Sequence, residues 1–254
     1  MPNTHASSRI QMKEKWENLA RQAPMYWIAS GRTDWNTEEF YSGDAWYDGQ
    51  TLHEFLGSLG IDLAGKRVLD LGCGMGRISL QFARYGAEVY GTDISEEMIR
   101  LARLNLVHVP RLHFRVGDGV SLESYPDGFF DVAWSYITFR HIPSLRVIEG
   151  YVREIGRVLA PGGRFILEAG NLRGWQAFVS ENRAIRLGLA SPGRLSRLGI
   201  RAIPTVGLVR YDAFAGVKVT RRKMLDALQA GGLVTDRTFS YNPTDHMFYA
   251  GHKA

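Results

Sequence analysis

Val68-Leu69-Asp70-Leu71-Gly72-Cys73-Gly74-Met75-Gly76-Arg77 is the stretch that decides the fold. Residues 67–71 read as a strand carrying a carboxylate near its end. Glycines then occupy alternate positions until a helical pattern begins at Arg77. A turn built this way leaves room for a ligand against the backbone, and the helix start beyond it offers free N–H groups to an anion. Dinucleotide-binding turns share this architecture, but their spacing is G-x-G-x-x-G, whereas this one is G-x-G-x-G. Asp70 adds a second discriminator: a carboxylate there repels a pyrophosphate and pairs with an ammonium group, which favours a zwitterionic ligand.

Outward from this turn, short apolar runs alternate with amphipathic helical patterns, as in βαβ units around a mostly parallel sheet. Residues 88–92 form a second strand ending at Asp93, whose carboxylate can accept two ribose hydroxyls, a reading shared with nicotinamide-binding folds. Ser95 caps a helix on which Met98, Leu101, Ala102 and Asn105 follow the helical period. A third strand over 112–116 leads into Gly117-Asp118-Gly119, where Asp118 reads either as an acceptor for an adenine amine or as a turn residue. A fourth strand over 129–135, a helix over 144–159 and a fifth strand over 164–168 follow, with Pro161-Gly162-Gly163 between the last two. Thr220 caps a further helix closed by Gly231-Gly232, and residues 233–241 and 246–252 make a terminal antiparallel pair.

Taken in order, the glycine-rich stretch, Gly91-Thr92-Asp93-Ile94-Ser95, Gly117-Asp118-Gly119 and Arg157-Val158-Leu159-Ala160-Pro161-Gly162-Gly163 resemble the successive motifs of class I S-adenosylmethionine-dependent methyltransferases. The small-molecule enzymes of the ubiquinone/menaquinone methyltransferase type are the nearest likeness, strongly over 66–168 and by pattern alone in the C-terminal hairpin. The resemblance implies an α/β, Rossmann-like sheet of seven strands, mostly parallel with an antiparallel last strand and helices on both faces. It implies that Asp70 and the loop Gly72, Cys73, Gly74 and Gly76 hold the methionine moiety of S-adenosyl-L-methionine, and Asp93 its ribose. Ile94 and Met98 would flank the adenine, and Asp118 with Gly119 would meet its amine. Ser135 and Tyr136, past the fourth strand, would border the methyl donor, and S-adenosyl-L-homocysteine would be the product.

Methyl transfer from a sulfonium asks chiefly for alignment, exclusion of water and, with a hydroxyl acceptor, removal of a proton. His141, in Phe139-Arg140-His141-Ile142-Pro143, is the best-placed general base. A loop-anchoring role for it is the competing reading. The sequence shows no tight cluster of His, Cys and carboxylates, so no metal is expected.

Two segments stand outside the alternation. Residues 1–60 read as one or two helices around an aromatic-rich stretch, a lid extension in which Tyr41 is the expected contact to the donor; residues 61–254 are the expected catalytic domain. Residues 171–216, inserted after the fifth strand, carry seven arginines against two acids, which accounts for the whole net charge of +5. They read as a cap for a small-molecule acceptor, an anionic one included, or as a solvated basic surface.

The lone Cys73 cannot form an internal disulfide, and neither a secretory leader nor a bilayer-spanning run is evident, so a cytoplasmic protein is expected, monomer or homodimer. An RNA methyltransferase is the main alternative. Against it, residues 135–138 read Ser-Tyr-Ile-Thr rather than an Asn/Asp-Pro-Pro-aromatic motif, and the arginines lack interleaved aromatics, so no nucleic-acid partner is expected. A nicotinamide dehydrogenase fits the glycine spacing poorly. A non-catalytic S-adenosylmethionine-binding protein is the third alternative.

Overall fold

The computed structural model describes residues 4–29, 34–43, 45–47, 50–170, 200–203, 207–210, 216–217, 219–240 and 246–254. Most of the 171–216 segment lies outside the described residues, and within it only the short antiparallel pair β8 (Ile200–Ile203) and β9 (Gly207–Arg210) is described in pairing.

The seven-stranded sheet runs in the order β10 (Leu233–Phe239), β11 (His246–Lys253), β7 (Leu159–Gly170), β6 (Phe130–Ser135), β3 (Arg67–Leu71), β4 (Glu88–Asp93), β5 (Leu112–Val116). β5, β4, β3, β6 and β7 pair in parallel, while β11 is antiparallel to both its neighbours. This is the expected architecture, and the five parallel strands fall within a residue of the expected starts, except β7. That strand begins five residues earlier, running through Pro161-Gly162-Gly163 behind a register shift opposite Phe130 and Val132.

Both faces of the sheet are covered because the strands alternate apolar side chains between them. Val68, Val132, Trp134, Ile166 and Phe248 meet α4 (Leu52–Ser58) and α5 (Arg77–Arg84) through Phe55 and Phe82. Leu69, Leu71, Phe165, Leu167 and Tyr249 meet α7 (Leu145–Val158) and α8 (Arg221–Ala230) through Ile148, Val152, Ile155, Met224 and Leu228. The helix caps are local and readable. Thr51 and Glu54 form a reciprocal capping box on α4, and the Ser95 hydroxyl accepts from the Met98 amide at the head of α6 (Glu96–Asn105).

The N-terminal region is richer than the one or two helices expected. α1 (Thr4–Gln22), α2 (Pro24–Ile28) and α3 (Thr37–Ser42) are followed by a small hairpin, β1 (Ala45–Tyr47) and β2 (Gln50–Thr51), and then by α4. Strands of two or three residues carry too little alternation to be seen in sequence. α1 is fastened to the sheet layer at the start of α6. There the Glu17 carboxylate accepts from the Ser95 hydroxyl at 2.8 Å and from the Glu97 amide at 3.2 Å. Burial pushes the Glu17 carboxyl up, but those two donors and Arg21 outweigh it and hold it below the usual range, as suits an anion at a helix N-terminus.

Candidate functional site

The cavity lies at the carboxyl ends of β3, β4 and β6, where open α/β sheets bind ligands. Its floor is the turn from β3 to α5. Gly72, Gly74 and Gly76 sit at φ +79°, +54° and +82°, a region other residues enter only with strain. The Gly72 and Cys73 amides both donate to the Thr92 carbonyl, at 2.7 and 3.1 Å, which ties the turn to the end of β4. At Gly72 a Cβ would stand 1.9 Å from the Thr138 hydroxyl, so the turn after β6 presses directly on the glycine loop.

Two carboxylates face this floor. Asp70 is buried, and the Ser79 hydroxyl from α5 donates to it at 2.6 Å. Loss of solvation pushes its pKa up to about 7, the Ser79 bond opposing and the nearby Asp93 charge adding. Asp93 is also raised by burial, against the amides of Ser95, Gly74 and Ile94. Its Oδ2 accepts from Gly74 at 3.0 Å and its Oδ1 from Ser95 at 2.9 Å, so strand end, glycine loop and helix start share one carboxylate.

The facing wall comes from the turn after β6. Ile137 stands at φ +67°, where no other non-glycine residue with described geometry has a positive φ. Its amide donates to the fully buried Glu168 of β7 at 2.8 Å, which helps hold a β-branched residue in a conformation costing about 1–2 kcal/mol. The Thr138 hydroxyl reaches the Leu71 carbonyl at 3.1 Å. His141 ends a single 3-10 turn, Phe139–His141, and lines the cavity. The roof is N-terminal: Met12 and Trp16 of α1, with Trp27 and Ile28 of α2. The Trp16 ring meets His141 edge-on at 5.2 Å, and a Cβ at Gly74 would lie 2.9 Å from the Ile28 side chain.

Most residues expected from sequence meet here. Asp70, Gly72, Cys73, Gly74 and Asp93 line the cavity, as do Ile94, Met98, Gly119, Tyr136 and His141. Four do not, each for a visible reason. Gly76 is needed for packing, since a Cβ would stand 2.6 Å from the Phe114 ring. The Asp118 carboxylate closes its own turn, accepting from the amides of Val120 and Ser121 at 2.8 Å and from the Ser121 hydroxyl at 2.9 Å, while Gly117 and Gly119 beside it form the wall. Ser135 is buried and donates to the Leu71 carbonyl at 2.9 Å, tying β6 to β3. Tyr41 lies on the other side of the glycine loop, its hydroxyl donating to the Met75 carbonyl at 2.8 Å from a buried position that pushes its pKa up to about 12.

Sequence reasoning passed over Arg77, Ile137, Thr138 and Glu168, all at or behind the wall. Arg77 ends the glycine motif itself, and its position was the only signal. Among the described residues no group of three or more His, Cys, Asp or Glu side chains could hold a metal, and no helix is long and apolar enough to cross a membrane.

A family model described as a methyltransferase domain matches residues 69–167. A ubiquinone biosynthesis O-methyltransferase of Xanthomonas oryzae pv. oryzae is 37% identical over 112 residues, 44% of this chain and 46% of the relative. The namesake from Xanthomonas euvesicatoria pv. vesicatoria is 30% identical over 177 residues, 66% of each chain. The chain thus spans about half to two thirds of the length of these curated relatives. A solved protein from Pyrococcus horikoshii superposes with a TM-score of 0.60 at 25% identity, covering 90% of this chain and 98% of that one.

Proposed function

We propose that this chain, which carries a class I S-adenosylmethionine-dependent methyltransferase domain, transfers a methyl group from S-adenosyl-L-methionine to a hydroxyl of a small aromatic or quinol-like acceptor. One observation carries the reading: the glycine loop with Asp70 and Asp93, and His141 on the wall facing it, line one cavity.

The residues present fit the donor. Glycines whose Cβ positions are already filled by neighbours leave backbone alone at the floor, and the buried Asp70 carboxylate suits an ammonium group. Asp93 keeps lone pairs for the ribose hydroxyls beyond the amides it accepts, and Ile94 and Met98 supply an apolar wall for the adenine. When bound, the donor supplies an activated methyl carbon. The chain's part is to align and to dry: the loop and Asp70 fix one end, and Met12, Trp16, Trp27 and Ile28 exclude water from above. His141, its ring oriented by Trp16, takes the proton of the attacking hydroxyl. The basic 171–216 segment serves as an acceptor cap in this reading.

The test is release of S-adenosyl-L-homocysteine from the purified chain with a panel of catechols, hydroquinones and amines. Turnover is expected with hydroxyl acceptors. Failure of the chain to bind S-adenosyl-L-homocysteine at all would remove the reading, and turnover confined to structured RNA would replace it.

A further inference from the structure

Arg77 opens α5 directly after the glycine loop, and its side chain lines the cavity. Its Nε is buried and meets no hydrogen-bond partner, and no carboxylate among the described residues pairs with its guanidinium. The two cavity acids are committed elsewhere: Asp70 to the Ser79 hydroxyl, Asp93 to the amides of Gly74 and Ser95. Burial pulls the Arg77 pKa down, and the Tyr136 hydroxyl opposes it. Glu168, the fully buried acid behind this wall, directs one carboxylate oxygen to the Ile137 amide.

A desolvated cation without a counter-ion is a costly arrangement unless something else supplies the anion. A guanidinium is a flat fork of donors, matched to the two oxygens of a carboxylate. We propose that Arg77 is a carboxylate-binding subsite of this cavity. It rests on the methyl-transfer reading for the identity of the ligands, and two carboxylates qualify: the amino-acid carboxylate of the donor, and an acid group on the acceptor. Both leave the guanidinium bidentately paired and Tyr136 beside it.

The experiment compares the wild type with Arg77→Gln and Arg77→Lys, each checked for folding by circular dichroism. Titration calorimetry uses S-adenosyl-L-homocysteine, and 5′-methylthioadenosine as the probe lacking the amino-acid carboxylate. Inhibition and turnover use a dihydroxybenzoate against catechol. If the donor's carboxylate is the ligand, Arg77→Gln weakens S-adenosyl-L-homocysteine by at least about tenfold, Arg77→Lys by less, and 5′-methylthioadenosine by neither. If the acceptor's is, S-adenosyl-L-homocysteine is unchanged and the dihydroxybenzoate loses its advantage over catechol. Either result supports the subsite. Removing an uncompensated buried charge also raises the melting temperature of ligand-free Arg77→Gln. The proposal is overturned if the wild type binds S-adenosyl-L-homocysteine and Arg77→Gln leaves every carboxylated probe within about twofold. Should the wild type bind no S-adenosyl-L-homocysteine, the methyl-transfer reading falls first, so the two failures are distinct.

Discussion

Asp70 makes ligand affinity depend on pH in a way that can be worked out beforehand. In the ligand-free protein its carboxyl is held near 7 by burial, so about nine-tenths is ionised at pH 8 and about one-tenth at pH 6. An ammonium ligand needs the ionised form. Affinity for S-adenosyl-L-homocysteine is therefore expected to fall about tenfold between pH 8 and pH 6, or about 1.4 kcal/mol. Stability carries the opposite sign. The folded pKa lies above the unfolded value of 3.8, so the ligand-free fold binds the extra proton, and its stability declines as pH rises from about 4 to about 7. The thermal shift on adding ligand should accordingly widen as pH rises through this window. Calorimetry and thermal melts at pH 6, 7 and 8 read both quantities, with Asp70→Asn as the reference that retains the contributions of Asp93, His141 and the ligand's own amine. In Asp70→Asn, affinity is expected to be weak at every pH and the slope to flatten. Equal slopes in wild type and Asp70→Asn would refute the assignment.

Other outcomes follow from the same geometry. Gly72→Ala must place its Cβ 1.9 Å from the Thr138 hydroxyl at a φ of +79°, so loss of S-adenosyl-L-homocysteine binding is expected by calorimetry while circular dichroism stays near wild type. His141→Ala is expected to lower turnover of a hydroxyl acceptor about a hundredfold with donor affinity nearly unchanged; activity within a few-fold of wild type would leave His141 as a loop anchor. Tyr41→Phe loses the hydrogen bond to the Met75 carbonyl, so urea denaturation should show a loss of about 1 kcal/mol with affinity within twofold. A collapse of affinity there would restore Tyr41 to the donor site.

Much of the fold was legible because the parallel strands are buried on both faces and so appear as dense apolar runs, punctuated by Gly and Asp where the chain turns. Helix starts were equally open, since Ser95 and Thr220 cap through their own side chains. The glycine-loop side of the cavity was legible for the same reason: Asp70 and Asp93 sit at strand ends, fixed by backbone register. What stayed hidden depends on which way a side chain turns. Asp118 sits at the right strand end but spends its carboxylate on Val120 and Ser121, and Tyr41 packs under the loop rather than over it. The roof of Trp16 and Ile28, and the strained Ile137 held by Glu168, join segments far apart in sequence, and no local pattern marks such meetings.

The place of β11 bears on how the protein is made. Of the seven strands it is synthesised last, yet it lies inside the sheet between β7 and β10, with Phe248, Tyr249 and Ala250 buried. During translation β7 therefore keeps an open edge, with Phe165, Ile166 and Leu167 lacking the packing of Phe248, Tyr249 and Ala250, until residues 246–253 have left the ribosome tunnel. An unpaired strand edge beside apolar side chains is a template for another nascent chain. A message cut short before Met247 would yield not a slightly smaller protein but a sticky one, and chaperones and proteases would meet it as such.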